Sequence, residues 1–146
     1  DNSSKVKWSI NSTTGPHIIP FENAGTADIL FTFDLTSGNA GDVTVSTYLT
    51  SAANLPLPIT PVPVSNINNN FGTNNSNNMV DRFWQVDATG TPTANLTFSW
   101  SPLENAAAGN SNPVAQRWTG AALGWDLPLS GQSNPSNARD AGRGCV

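Results

Sequence analysis

The sequence predicts an all-β fold: an antiparallel β-sandwich, immunoglobulin-like or jelly-roll-like, of about seven to nine strands, with a closed barrel as the alternative. Three observations carry this. Charged residues make up 11% of the 146-residue chain, against about 25% in an ordinary domain. Asn, Ser, Thr and Gly stand in their place, and these suit turns and strand surfaces better than helix interiors. Apolar residues recur with period two, and clusters of Gly, Pro, Asn and Ser separate the runs.

The elements follow in order. Val6, Trp8 and Ile10 alternate with Lys7 and Ser9, so a short strand with one buried face is expected. After Thr14-Gly15-Pro16, the run His17-Ile18-Ile19-Pro20-Phe21 is apolar but contains a proline, which suits an edge strand. Ile29, Phe31, Phe33 and Leu35 share one face of the next strand, the clearest alternation in the chain. Val43, Val45, Thr47 and Leu49 alternate with Thr44, Ser46 and Tyr48, and an antiparallel hairpin between these two strands is expected.

Residues 55–64 carry four prolines, so an extended crossover along an edge or between sheets is expected rather than a central strand. Residues 66–78 are Asn-rich and predict a surface loop, with Phe71 tacking it to the body. Arg82, Trp84 and Val86 share a face and Phe83 points the other way, so Val80–Ala88 reads as a central strand with bulk on both sides. Leu96, Phe98 and Trp100 form one face of the following strand, and Val114–Trp118 and Ala121–Trp125 read as two short strands. The expected division is one domain over 1–130 and a mobile or partner-dependent tail over 131–146.

Net charge is −4 and no basic stripe occurs, which argues against nucleic-acid binding. No apolar run approaches the roughly 18 residues that span a bilayer as a helix, so no membrane insertion is expected. Low charge and an Asn/Thr-rich surface lead us to expect a mature secreted chain.

The stretch VDRFWQVDATGTPTANLTFSW (80–100), followed by AQRWTGAALGW (115–125), resembles a β-sandwich module of large secreted proteins of Bacteroidetes-type bacteria. Such modules often lie just ahead of a C-terminal sorting domain for type IX secretion. VKWSI (6–10), TGPHIIPF (14–21) and DVTVSTYLTSAANLPLP (42–58) are similar to earlier parts of the module, in the same order. The resemblance implies an extracellular, cell-surface location and a non-catalytic role, and it supplies no catalytic motif.

Residue chemistry points away from an enzyme. His17 is the one histidine, and no G-x-S-x-G elbow occurs. One His and one Cys are too few for zinc. Asp81 with Asp87 and Asp28 with Asp34 are even-spaced carboxylate pairs of the kind a glycosidase needs, but such pairs on strands are usually solvated. We therefore expect no catalytic residues, no metal ligands and no cofactor, a structural calcium ion among the turn Asn and Asp side chains being the weaker option. Cys145 has no internal partner for a disulfide. Sequons occur at Asn2, Asn11, Asn74 and Asn95, as chance allows in so Asn- and Thr-rich a chain.

Arg82 and Arg117 each adjoin a tryptophan region (Arg82-Phe83-Trp84, Arg117-Trp118) in charge-poor surroundings. A structural cluster of Arg82, Trp84, Arg117 and Trp118 is expected, with Asp81, Asp87, Glu104 or Asp126 as carboxylate partners. Two functions remain. The first is a self-assembling subunit of a surface filament joined by β-strand addition (donor-strand complementation), with other copies of itself as partner and Val6, Trp8 and Ile10 as the donor strand. The second is an adhesion module binding surface glycans through Trp118 and Trp125.

Overall fold

The computed structural model describes residues 4–23, 27–104, 113–120, 124–132 and 141–144. It is all-β, with no α-helix among the described residues. The strands are β1 (Val6–Ser9), β2 (Gly15–Asn23), β3 (Ala27–Asn39), β4 (Asp42–Leu49), β5 (Arg82–Ala88), β6 (Thr91–Phe98) and β7 (Ala141–Gly144). They form two antiparallel sheets, β1-β4-β5 and β2-β3-β6, with β7 alongside β6 in the second.

The period-two runs explain why the sheets meet. Phe31, Phe33 and Leu35 of β3, Ile19 of β2, and Ala94 and Leu96 of β6 are buried in one cluster with Val43 and Val45 of β4 and with Ile10. Ile29 of β3 is buried as well. Trp84 of β5 spans the gap, its ring 5.6 Å from those of Phe21 and Phe31 and 5.7 Å from that of Phe98. The two sheets thus face each other across one core, a sandwich-like arrangement.

The expected hairpin between β3 and β4 does not form. β3 pairs with β2 and β6, and β4 pairs with β1 and β5. The chain passes from one sheet to the other at Ala40-Gly41, where buried Ala40 donates its N–H to the Asn11 carbonyl and accepts from Gly90. Gly41 has φ +61, and a Cβ there would collide with the Thr89 hydroxyl. A tight corner between sheets and a hairpin turn need the same residue types, so the local pattern does not distinguish them.

Three further expectations are corrected. β5 lies at the edge of its sheet, pairing with β4 alone among the described residues. Its two bulky faces reflect cover on both sides: Trp84 faces the core, and Phe83 stacks on Trp125, ring centroids 6.5 Å apart, on the outer side. The proline-rich stretch is no crossover between sheets, because it leaves β4 and returns to β5 of the same sheet. Of the two short strands expected near the end, a single isolated bridge, Trp118 to Trp125, is present, and residues 121–123 lie outside the described set. Within the stretch read as tail, Gln132 clasps the Ala115 main chain at both N–H and carbonyl (2.7 and 2.9 Å), and Ala141–Gly144 forms β7.

Candidate functional site

Main-chain geometry decides which sheet edges are open. The Asp42 carbonyl accepts from Thr89 and the Asp42 N–H donates to the Thr89 hydroxyl, both on the β5 side. Main-chain groups alternate along a strand, so Thr44 also faces β5, while Val43 and Val45 face β1. In β1, therefore, Val6 and Trp8 bond to β4 across from Val45 and Val43, and Lys7 and Ser9 turn their main-chain groups to the free edge.

The same reasoning closes the edge of β2. On the β6 side the Leu30 carbonyl accepts the Ser99 N–H, and the Leu30 N–H donates to the Ser99 hydroxyl. Phe31 and Phe33 therefore face β2, and Pro16, Ile18 and Pro20 turn outward. Two of the N–H groups this edge would display are removed by proline, which blunts it against a further strand. The free edge of β1 is guarded differently. Both lysines of the chain, Lys5 and Lys7, lie on or beside it, and edge lysines oppose a second chain stacking there.

The face expected to be buried is buried at one of the three donor-strand candidates: Ile10 lies in the core, whereas Val6 and Trp8, on an edge strand, remain 40% and 41% exposed. β1 is tied down by its ladder, by a T-shaped contact of Trp8 with His17 of β2 at 5.3 Å, and by Asp42. Lys7 Nζ lies 2.6 Å from Asp42 Oδ2, and the Ser9 hydroxyl donates to Oδ1. The Lys7 hydrogen bond, then that of Ser9, holds the Asp42 carboxyl below the usual carboxylate range. His17 donates from Nε2 to the Thr13 carbonyl at 2.8 Å.

The two arginines each find a carboxylate, but in separate ion pairs rather than one cluster. Arg82 binds Glu104 through two parallel bonds, Nε to Oε2 at 2.7 Å and Nη2 to Oε1 at 2.6 Å, and Nη1 donates to the Thr47 hydroxyl at 3.0 Å. The two side chains are 4% and 2% exposed. Glu104 Oε2 also accepts the Ser101 N–H, and the Glu104 carbonyl accepts the Asp81 N–H. This pair fixes the start of β5 to the 3₁₀ turn Pro102–Glu104. Arg117 bonds Asp126 at 2.7 Å in an exposed pair, a contact that contributes little.

Trp118 and Trp125 come together edge to face at 5.2 Å, with Trp125 stacked on Phe83. Their indole N–H groups donate to the carbonyls of Pro63 (3.1 Å) and Asn66 (3.0 Å). The pair therefore clamps the proline-rich segment onto the outer face of β1-β4-β5. Tyr48 completes the clamp by donating to the Pro56 carbonyl at 2.7 Å. Nothing in the sequence announced this role, since the partners are 55 and 59 residues apart.

Burial pushes the Tyr48 phenol up to about 12. The raised value means that the contribution of the buried neutral phenol to stability is fully present below the ordinary phenol value of about 10 and is lost as pH rises through about 12. Tyr48 is the chain's one tyrosine, so ultraviolet absorbance of the phenolate reads it alone. A midpoint near 12 in the folded chain, returning to about 10 in denaturant, is expected. A folded-state midpoint near 10 contradicts the burial of the Tyr48 phenol against the proline-rich segment.

Phe71 does not tack its loop to the body but is 92% exposed. Asp81, just before β5, and Asp87, near its end, are about 20 Å apart at strand spacing, too far for the paired acids of a glycosidase. Asp34 is half-buried and pairs in register with Pro16 and Asn95, while the side chain of Asp28 lies outside the described residues, as do Asn2 and Cys145. No group of three or more His, Cys, Asp or Glu side chains gathers among the described residues. No helix among them is long and apolar enough to cross a membrane.

Compared with models of protein families, with curated proteins and with solved structures, the chain matches none.

Proposed function

We propose that this chain is a secreted, non-enzymatic structural protein of the cell exterior, an immunoglobulin-like or jelly-roll-like sandwich that polymerises into a surface filament by exchanging β1 between copies. One observation carries the reading: β1 is an edge strand whose Val6 and Trp8 stay about two-fifths exposed in their own fold. Its attachment rests largely on a four-residue ladder and the contacts of Asp42 and His17, all of which a neighbour's β1 reproduces on the same β4. The exchanged state therefore differs little in free energy from the closed one, the condition under which swapped assembly is accessible. Proline on β2 and lysine on β1 oppose simple edge-to-edge stacking, which favours exchange over addition.

The low charge of the chain weakens repulsion between identical subunits. Secretion through a type IX route is part of the same proposal and rests on the resemblance of residues 80–100 and 115–125. The alternative, glycan adhesion through Trp118 and Trp125, is disfavoured because both indole N–H groups are already used on the chain's own carbonyls. Electron microscopy of a chain whose β1 is covalently tethered to its own β4 tests the proposal.

A further inference from the structure

The Asn-rich loop presents one aromatic ring on a turn whose shape is set in advance. Asn69 Oδ1 accepts the N–H groups of Phe71 (2.9 Å) and Thr73 (3.1 Å). The Asn69 N–H donates to the Thr73 carbonyl at 2.8 Å, and the Gly72 N–H donates to the Asn69 carbonyl at 2.9 Å. Asn68 and Asn74 bridge the two arms of the loop, and Gly72 takes the left-handed conformation, φ +76, that lets the tip turn. A loop braced in this way loses little conformational entropy when its tip is buried. An exposed phenylalanine on such a support, with no intramolecular packing to explain it, has the form of an interface anchor.

The preceding proline-rich segment carries further exposed apolar side chains. Leu55, Ile59 and Val62 of the proline-rich segment are exposed. Their backbone is fixed by Ser51 N–H to the Leu55 carbonyl (3.0 Å), Val64 N–H to the Pro58 carbonyl (2.9 Å), and the Tyr48 and Trp118 clamps. Residues 43–80 contain no charged side chain. A charged partner surface placed against this stretch would lose hydration without gaining a counter-charge. The fitting partner surface is itself uncharged and apolar, and a second copy of this chain offers one.

We propose that Phe71 of one copy seats against the exposed Leu55, Ile59 and Val62 side chains of another, a self-association contact separate from strand exchange. It extends the self-assembly reading to a contact that uses neither β1 nor β4. The experiment therefore employs the tethered chain (Lys7→Cys with Thr44→Cys, Cys145→Ser), in which β1 cannot be exchanged, and measures sedimentation equilibrium over a wide concentration range. The tethered chain is expected to self-associate. Phe71→Ser and Ile59→Ser are each expected to raise the dissociation constant by about tenfold or more, the effect of removing one buried anchor. Both side chains are exposed, so thermal unfolding should be unchanged and misfolding is not the cause of any loss. A tethered chain that stays monomeric throughout overturns the proposal, as does a dissociation constant indifferent to either substitution. So does a monomer that binds phosphatidylcholine vesicles through Phe71. Fibre formation is read separately and concerns β1 alone.

Discussion

Replacing Glu104 with alanine is expected to destabilise the fold by about 3–5 kcal/mol, the usual cost of removing one partner from a buried ion pair. The magnitude follows from burial, because Arg82 keeps its charge and is 4% exposed at its side chain. Both guanidinium bonds to the carboxylate are lost, and the Ser101 N–H loses an acceptor at the same time. Urea denaturation of wild type, Glu104→Ala and the double variant Arg82→Leu/Glu104→Leu checks the account. The double variant removes both charges, so it should cost less than Glu104→Ala alone. A cost for Glu104→Ala under about 1 kcal/mol, the range of exposed pairs, would show that the pair is solvated and peripheral.

Phe31→Ala should be comparably severe, about 3–5 kcal/mol. Phe31 is fully buried near the middle of β3, between Trp84 of the facing sheet and Phe98 of the adjacent strand. Alanine leaves a cavity on the line where the two sheets meet, and β3, paired on both edges, has little freedom to close it. The urea midpoint should fall with an unchanged denaturant slope, because the same surface is exposed on unfolding. An effect under about 1.5 kcal/mol, the range of volume-conserving swaps, would mean that the sheets are not packed through Phe31.

Faces were legible in the sequence and partners were not. The alternation of Ile29, Phe31, Phe33 and Leu35 marked the buried side of β3 correctly, since side-chain period is a local property of a strand. Pro20 marked β2 as an edge for a similar reason: a missing N–H constrains its own position. Pairing is non-local, and nothing at Ala40-Gly41 indicated that β4 would join β1 rather than β3. The bulk on both sides of β5 was read as centrality when it records cover by Trp125, a residue far along the chain. For the candidate site, the alternation of Val6, Trp8 and Ile10 located a strand but not its place at the sheet edge, where Val6 and Trp8 stay partly exposed. The closure of the β2 edge and the guarding of β1 emerged once the register was known. Phe71 was assigned inward because apolar residues in polar loops usually anchor them, whereas here the loop is braced through its main chain by Asn69 and the ring is 92% exposed.

The central claim is that β1 leaves its own sheet to complete a neighbour's. Lys7 and Thr44 face each other in a pair that does not share ladder hydrogen bonds, where Cα atoms approach to about 4.5 Å, within the range a disulfide spans. The variant Lys7→Cys/Thr44→Cys, with Cys145→Ser to remove the native thiol, can therefore fasten β1 to its own β4. Negative-stain electron microscopy before and after adding reductant is the direct measurement. The account predicts no filaments while the disulfide is intact, whatever small assemblies the Phe71 contact forms, and filaments once it is reduced. Filaments of equal length and abundance in both states would contradict it.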